Sequence, residues 1–195
     1  MDDRKPRKDA ARNRAAVIEA ADDLFARCEH PAEVTMADIA AAAGVGKGTL
    51  FRAFGDRSGL IRALFAARIE PVRAAIESGP PPLGPDTPPS QRLPALLDAI
   101  LWFKLENRHL SLALESIGDS SPYQAEHYEQ WHSLLQTTLE RIPGLTDWAF
   151  TAHALLAATR ADLVEHLAGQ KGMTNEEIRA QLARFTAKIL EAARP

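Results

Sequence analysis

The sequence predicts an all-α protein, and three observations support this. Apolar residues recur three and four positions apart along most of the 195 residues, which is the spacing that gives a helix one buried face. Glycines and prolines separate these periodic segments, as expected at the ends of helices. No segment shows a convincing alternation of apolar and polar residues, which would indicate a strand. We therefore expect about nine helices.

Four of these helices lie in the first 78 residues. Thr35 and Asp38 have the spacing of a capping box at the start of the second helix, since each side chain can accept a backbone amide hydrogen. Gly44 is expected to end that helix, because glycine adopts the left-handed conformation at low cost. Asp56 can cap the fourth helix. The four helices are predicted at about 9–28, 35–43, 46–54 and 56–78.

A proline-rich segment, GPPPLGPDTPPSQRLP at 79–94, follows these helices. Seven of its sixteen residues are proline, so we expect a stiff, extended connection without helix. We divide the chain into residues 1–55 and residues 56–195, with this connection inside the second segment. Further helices are predicted at about 91–108, 109–118, 122–142 and 146–169, and a last one after a capping box formed by Thr174 and Glu177.

Charge is unevenly distributed along the chain. Residues 1–75 hold 13 basic and 11 acidic residues, whereas residues 76–195 hold 10 and 15. The segment RKPRKDAARNR, at 4–14, forms a basic arm that either follows DNA or is a solvated tail. Cys28 is the single cysteine, which excludes an internal disulfide, and we expect it to pack in the core. No apolar stretch is long enough to span a bilayer and no secretory signal is evident, so we expect a soluble, cytoplasmic protein.

The segment GVGKGT, at 44–49, invites a nucleotide-binding interpretation, but the spacing argues against it. A phosphate-binding loop requires Ser or Thr after Gly-Lys, and Gly48 stands there; the first glycine of the motif would be residue 41, which is Ala. His127 and His132 are five residues apart, which is the wrong spacing for a metal site on one helical face. No arrangement of nucleophile, base and acid indicates an enzyme. We therefore predict no cofactor, no metal and no catalytic residue.

The two short helices on either side of Gly44 instead form a helix-turn-helix. Ile39, Val45 and Leu50 are the apolar residues expected between the two helices. Ala40 and Gly44 are small, and we expect the helices to cross closely at these positions.

The segment TMADIAAAAGVGKGTLFRAFGDRSGLIRALF, at 35–65, resembles the DNA-binding segment of the TetR family of bacterial transcriptional regulators. The resemblance implies three N-terminal helices that bind DNA, followed by a helical domain that binds an effector and dimerises. It further implies that Thr35 caps the second helix and contacts a phosphate, and that Arg57, just after the third helix, contacts another. Lys47, Thr49, Phe51 and Arg52 are expected on the exposed side of the third helix. Gly46 stands at the start of that helix, and Gly48 is expected to allow close approach of the backbone to DNA.

Two of these positions depart from the usual family pattern. Phe51 replaces a tyrosine whose hydroxyl holds a phosphate; it could instead contact a thymine methyl, or it could be a partly buried core residue. Gly46 replaces a serine or alanine. We therefore expect Lys47 and Arg52 to carry much of the base recognition.

The resemblance implies that the last two helices pair with those of a second copy, and their additional apolar residues, among them Leu163 and Phe185, agree with this. The middle helices hold aromatic and polar residues together, which suits a small organic effector, although such residues could equally form the core. The expected pocket residues are Trp102, Phe103, His109, Tyr128, Trp131 and His153. The sequence thus predicts a homodimeric repressor that binds double-stranded DNA and is released by an effector, with no membrane partner. The alternative is a DNA-binding protein without an effector, whose C-terminal half only dimerises or binds another protein.

Overall fold

The computed structural model describes residues 4–27, 33–115 and 126–193. Within these residues every regular element is helical, which confirms the all-α class. The helices are α1 (Arg4–Arg27), α2 (Met36–Ala42), α3 (Lys47–Phe54), α4 (Arg57–Ser78), α5 (Pro89–Glu106), α6 (Arg108–Glu115), α7 (Glu126–Glu140), α8 (Trp148–Ala157), α9 (Ala161–Glu165) and α10 (Asn175–Ala192). None of the helices in the described residues is long and apolar enough to cross a membrane.

The first helix begins at Arg4 rather than near residue 9, so the described part of the basic arm is helical. Alanine, arginine and lysine are strong helix formers, and extending an existing helix costs less than starting one. Pro6 is tolerated because it lies in the first turn, where its missing amide hydrogen would have no partner. The predicted core position of Cys28 and the predicted helix end at Gly118 lie outside the described residues.

The chain forms two compact units, Met1–Arg68 and Ile69–Pro195, and α4 contributes residues to both. This division lies thirteen residues beyond the expected boundary at residue 55. The reason is that the first half of α4 belongs to the N-terminal core: Leu60 and Leu64 are buried, and Arg68 forms an ion pair with Asp22 of α1.

The core of the first unit is formed by the apolar faces of its four helical segments. It includes Val17, Ala21, Ile39, Leu50 and Phe54, all of which are buried. Gly44 follows α2 with φ of +64°, and the amide of Val45 donates to the carbonyl of Ala40 at 3.0 Å, which is the left-handed helix end predicted from the sequence. The predicted close crossing at Gly44 is wrong, because a Cβ added there would meet no atom within 4 Å. Gly44 is needed for its backbone conformation and not for its small size.

The second unit has its own hydrophobic core, in which α5 packs against α7 and α10. The fully buried residues of this core include Leu93, Leu96, Leu97, Leu101, Leu135, Leu139 and Leu155. The capping box predicted at Thr174 and Glu177 is present at the start of α10.

The proline-rich connection differs from its prediction in two ways. First, it is folded into turns, with the amide of Gly84 bonded to the carbonyl of Pro80 at 3.1 Å. The buried guanidinium of Arg92 holds these turns by donating to the carbonyls of Leu83 and Ile76, both at 2.9 Å. Second, α5 already begins at Pro89, because proline at the first helical position needs no amide hydrogen.

The single helix predicted at about 146–169 is divided into α8, α9 and a π-helical turn at His166–Gln170. The chain breaks at Thr159 and Arg160: the Thr159 hydroxyl donates to the carbonyl of Leu156 at 3.0 Å, and Arg160 has extended backbone angles. The carboxylate of Glu115 then accepts the amide of Ala161 at 2.9 Å. A side chain distant in sequence thus caps α9, and for this reason the local apolar pattern did not reveal the break.

Candidate nucleic-acid interface

The capping box before α2 fixes the start of the helix-turn-helix. The Thr35 hydroxyl oxygen accepts the Asp38 amide at 3.2 Å, and the Asp38 carboxylate accepts the Thr35 amide at 2.9 Å. The Thr35 hydroxyl and amide lower the pKa of Asp38, with a smaller contribution from the charge of Lys47. Thr35 is exposed, so the predicted cap is confirmed and the residue remains accessible to a phosphate.

Helix α3 has a buried face and an exposed face. Leu50 is fully buried and Phe54 is 8% exposed, and these two residues fasten the helix to its own unit. On the other side Lys47, Gly48 and Arg52 are exposed, and Thr49 is half-buried. The residues expected on the outer side of α3 therefore do lie there, with Thr49 at its margin.

The N-terminal end of α3 is open because two of its residues lack side chains. Gly46 is the N-cap residue, and its carbonyl accepts the amides of Thr49 and Leu50 at 2.9 and 3.2 Å. A Cβ added at Gly46 or at Gly48 would meet no atom within 4 Å. Packing within the protein therefore does not require either glycine, and both leave the backbone accessible to a partner.

Phe51 is 48% exposed, so it is a surface residue rather than part of the core. It lies between Lys47 and Arg52 in the sequence of α3 and supplies an apolar patch beside two cations. Such a combination suits a nucleic acid, since cations neutralise phosphates or bind guanine edges, and an aromatic ring can contact a thymine methyl.

Arg57 has neighbours that its expected phosphate contact does not explain. It is half-buried, its guanidinium donates a hydrogen bond to the carbonyl of Val34, and its charge lies 5.6 Å from the centre of the Phe25 ring. Arg57 thus links α4 to the residue before the capping box and to α1. The structure gives this arginine an internal role that the sequence pattern did not indicate.

Comparisons with known proteins agree with a DNA-binding helix-turn-helix at α2 and α3. The family model for bacterial regulatory proteins of the tetR family matches residues 17–64. The HTH-type transcriptional regulator SAR0097 of Staphylococcus aureus (strain MRSA252) is 26% identical over 178 residues, which are 89% of this chain and 92% of the relative.

Solved structures share the fold. A TetR-family transcriptional regulator from Rhodococcus sp. has a TM-score of 0.68 at 21% identity, with 91% of this chain and 98% of that chain covered. Thermus thermophilus FadR, a TetR-family transcriptional repressor solved with lauroyl-CoA, has a TM-score of 0.61 at 18% identity, with 90% and 94% covered.

The comparisons therefore support a TetR-family transcriptional regulator, with the family model matching residues 17–64. The all-α fold, the helix-turn-helix and the resemblance at 35–65 are thereby confirmed.

The structure brings two of the six expected effector residues, Tyr128 and His153, into direct contact. The Trp102 ring is 43% exposed and lies 4.9 Å from the guanidinium of Arg179 on α10. His109 is exposed, whereas Phe103 is buried. Tyr128 and Trp131 lie on α7, and the Tyr128 hydroxyl is 2.5 Å from Nδ1 of His153 on α8.

The pair formed by Tyr128 and His153 belongs to an aromatic stack between α7 and α8. The His132 and His153 rings are stacked with centroids 3.9 Å apart. Partial burial lowers the pKa of His153, and the nearby His132 lowers it further. No group of three potential metal ligands occurs in the part of the chain that the structure describes.

A more deeply buried polar group in the second unit was not singled out from the sequence. Lys104 and Glu115 form an ion pair with Nζ and Oε1 2.7 Å apart, and their side chains are 15% and 12% exposed. Burial lowers the pKa of the neighbouring His127; Lys104 lowers it further and Glu115 opposes the shift. Ser111, one turn before Glu115 on α6, has a buried hydroxyl with no hydrogen-bond partner among the described residues. The group combines residues of α5, α6 and α7, so no motif within one helix could have revealed it.

An open groove of about 560 Å³ lies in the first unit between α1 and α4. It is lined by Arg14, Ile18, Leu64 and Arg68, among others. None of the six expected effector residues lines it.

The apolar residues expected at a dimer interface differ in exposure; they are Leu155, Leu156, Leu163, Leu167, Leu182, Phe185 and Ile189. Leu155, Leu156 and Leu182 are buried within the chain, so they belong to its own core. Leu163 and Phe185 are 36% and 42% exposed. Leu167 and Ile189 are half-buried, so Leu163 and Phe185 leave the most apolar surface of this set available to another copy.

Proposed function

We propose that the chain is a homodimeric repressor whose α3 helices enter successive major grooves of a palindromic operator. The observation that carries this proposal is the exposed face of α3, where Lys47, Phe51 and Arg52 project around a glycine backbone that no side chain covers. A helix of this composition fits the major groove, which admits an α-helix and displays a distinct pattern for each base pair.

Each candidate residue has a proposed role in this complex. Arg52 and Lys47 donate to guanine edges or phosphates, and Thr49 donates to either. Phe51 contacts a thymine methyl, while Gly46 and Gly48 let the backbone approach the DNA. Thr35 and Arg57 each contact a phosphate.

Dimerisation follows from the small footprint of a single recognition helix. One such helix contacts few base pairs, so a specific site requires two copies whose recognition helices are about 34 Å apart. The exposed Leu163 and Phe185 support pairing through α9 and α10.

We further propose that a small organic effector binds in the second unit. T. thermophilus FadR was solved with lauroyl-CoA, which supports a ligand site in a protein of this fold. The buried ion pair of Lys104 and Glu115, with the Ser111 hydroxyl, supplies polar groups for orienting a ligand, and the other candidates are Trp102, Phe103, His109, Tyr128, Trp131 and His153. An effector releases the operator only if it binds the DNA-free conformation more tightly than the DNA-bound one. Because α4 contributes residues to both units, we propose that it transmits this change.

The first experiment is selection from a pool of random duplexes at about 0.15 M salt, a concentration at which non-specific binding is weakened. An inverted repeat with half-sites about one helical turn apart is expected. Arg52→Ala should relax one position of each half-site while the other positions are kept. Recovery of no motif, or of a single half-site only, would contradict the proposed operator complex.

The second candidate function is an effector-independent DNA-binding protein, and the exposure of Trp102 and His109, two of the six expected pocket residues, favours testing it. Thermal unfolding in a diverse metabolite library separates the two. A compound that raises the melting temperature of the protein and displaces the operator supports the effector. If no compound does so, the second unit serves dimerisation or another protein.

A further inference from the structure

Arg14 of α1 contacts the C-terminal end of α3. Its Nη1 donates to the carbonyl of Ala53 at 3.0 Å, and its guanidinium carbon lies 4.5 Å from the centre of the Phe54 ring. The two residues it contacts are 39 and 40 positions away in the chain, so this is a tertiary contact rather than a local one.

The end of α3 is where such a contact has most effect. The last four carbonyls of a helix lack partners within the helix, and the helix dipole makes this end negative. A cation that donates to one of these carbonyls gives it a hydrogen-bond partner and also offsets the negative end of the helix dipole. Because α3 has only eight residues, it is too short to be stable alone, and its position depends on contacts with the rest of the unit.

We propose that Arg14 is a positioning residue for DNA recognition, which fixes the C-terminal end of α3 and with it the direction in which Lys47 and Arg52 project. This proposal rests on the proposed entry of α3 into the major groove. Arg14 is exposed, so a phosphate contact is the competing role. The two roles predict different salt dependence, because only a phosphate contact releases counterions.

The first test needs no DNA. Amide hydrogen exchange is measured for Arg14→Met, which removes the donor but keeps an unbranched side chain. The control is Arg12→Met, which removes the same charge two residues earlier on α1, from an exposed pair with Asp9. In Arg14→Met the amides of Phe54 and Gly55 should exchange about 3- to 10-fold faster, as expected for loss of one hydrogen bond. The amides of Ile39 and Ala43 should be unchanged, and Arg12→Met should leave all four unchanged. Unchanged exchange at Phe54 and Gly55 in Arg14→Met would overturn the proposal.

The second test measures affinity for the selected operator and for a scrambled duplex at several salt concentrations. Arg14→Met should bind the operator about tenfold more weakly and the scrambled duplex within about twofold of the original chain, with the same salt slope. Arg14→Lys, which keeps the charge and a donor, should recover part of the loss. Equal loss on both duplexes with a slope reduced by about 0.9 would show a phosphate contact instead.

The two tests separate this proposal from the proposed function. If no operator is selected, the proposed operator complex fails, and the exchange of Phe54 and Gly55 still decides whether Arg14 holds α3. If Arg14→Met unfolds at the temperature of the measurement, Arg14→Lys is compared by the same exchange experiment, and intermediate protection of Phe54 and Gly55 is expected. Equal loss of protection at Ile39 and Ala43 in Arg14→Lys would show a global effect and would overturn the proposal.

Discussion

Lys47 and Arg57 are both cations near the helix-turn-helix, yet they have different neighbours. Lys47 is exposed at the start of α3, whereas Arg57 is half-buried and bonded to Val34. Lys47→Ala should therefore reduce the slope of log affinity against log salt by about 0.9 without changing stability. Arg57→Ala should lower the free energy of unfolding by about 1–3 kcal/mol, because it leaves the Val34 carbonyl without this donor. Urea unfolding and salt-dependent DNA titration of both variants measure this contrast. An Arg57→Ala chain of unchanged stability and reduced slope would show that Arg57 contacts phosphate only.

The contact of Phe51 with DNA can be tested by a substitution that adds a single hydroxyl group. The ring is 48% exposed, so the hydroxyl added by Phe51→Tyr reaches solvent and can donate to a phosphate oxygen. We expect about fivefold tighter operator binding with unchanged stability. Phe54→Tyr is the matched control: Phe54 is 8% exposed, and the same hydroxyl there should destabilise the fold without improving binding. Weaker binding by Phe51→Tyr would indicate that the ring contacts an apolar group of a base.

Residue-level predictions from the sequence succeeded where helical periodicity alone decides the answer. Leu50 and Phe54 are four residues apart, and this spacing places both on the same, buried side of α3. The hydrogen bonds that Arg14 and Arg57 donate could not be predicted, because the carbonyls that accept them lie 39 and 23 positions away in the sequence. A sequence pattern records that an arginine is present but not which tertiary carbonyl it meets.

At the level of elements, the glycine in α3 lowers the stability of the fold but gives DNA access to the helix backbone. Gly48 lies in the first turn of α3, and a Cβ there would meet nothing within 4 Å. Gly48→Ala should therefore raise the free energy of unfolding by about 0.4–1 kcal/mol, while it weakens operator binding by pushing the backbone away from the DNA. Chemical unfolding and a binding titration of the same variant measure both effects. Unchanged or tighter operator binding would show that DNA does not approach this backbone.

Gly59→Ala provides the contrast for that substitution. In the first turn of α4, a Cβ at Gly59 would lie 1.9 Å from the carbonyl oxygen of Phe54. This overlap with backbone should destabilise the fold by about 1–3 kcal/mol. The two glycines thus serve different purposes, and only Gly59 is required by packing within the protein.

The capping box of α2 makes a prediction about pH. The hydroxyl and amide of Thr35 lower the pKa of Asp38, so the folded chain binds this proton more weakly than the unfolded chain does. The associated stability is present above the ordinary aspartate pKa of about 3.9 and is lost as pH falls through the lower folded value. Thr35→Ala should raise the Asp38 pKa towards its ordinary value, which a carboxyl-detected NMR titration measures. The equivalent box at Glu177 should titrate as before in this variant, and a shift there would indicate a global rather than a local effect.

The elements differ in how well local sequence predicts them. Both capping boxes were predicted, because a cap depends on residues three positions apart. The turns at 79–88 were not, because they are held by Arg92, which lies beyond them in α5. The break between α8 and α9 depends on Glu115 of α6. Elements stabilised by distant side chains are the ones that periodicity misassigned.

On the scale of the whole molecule, the sequence predicted the fold class and a helix-turn-helix but not the position of the division between the compact units. The apolar residues Leu60, Leu64 and Ile69 of α4 are all buried. Which unit buries these residues is decided by packing partners, such as the pairing of Arg68 with Asp22, and periodicity carries no information about them. The proposed effector site depends on side chains from several helices converging, and periodicity does not indicate such convergence.

Dimerisation is the prediction that involves the whole assembly. Phe185 on α10 is 42% exposed, and Phe185→Glu places a charge on the apolar surface that we propose pairs with a second copy. The variant should sediment as a monomer, and it should bind the operator about a hundredfold more weakly, because two linked heads gain affinity from effective concentration. Phe51→Glu is the matched control, since Phe51 is 48% exposed on the recognition helix: it should lose operator binding yet sediment as a dimer. If Phe185→Glu stays dimeric and binds the operator normally, the copies pair through another surface, and the same pair of measurements on Leu163→Glu then shows whether α9 takes part.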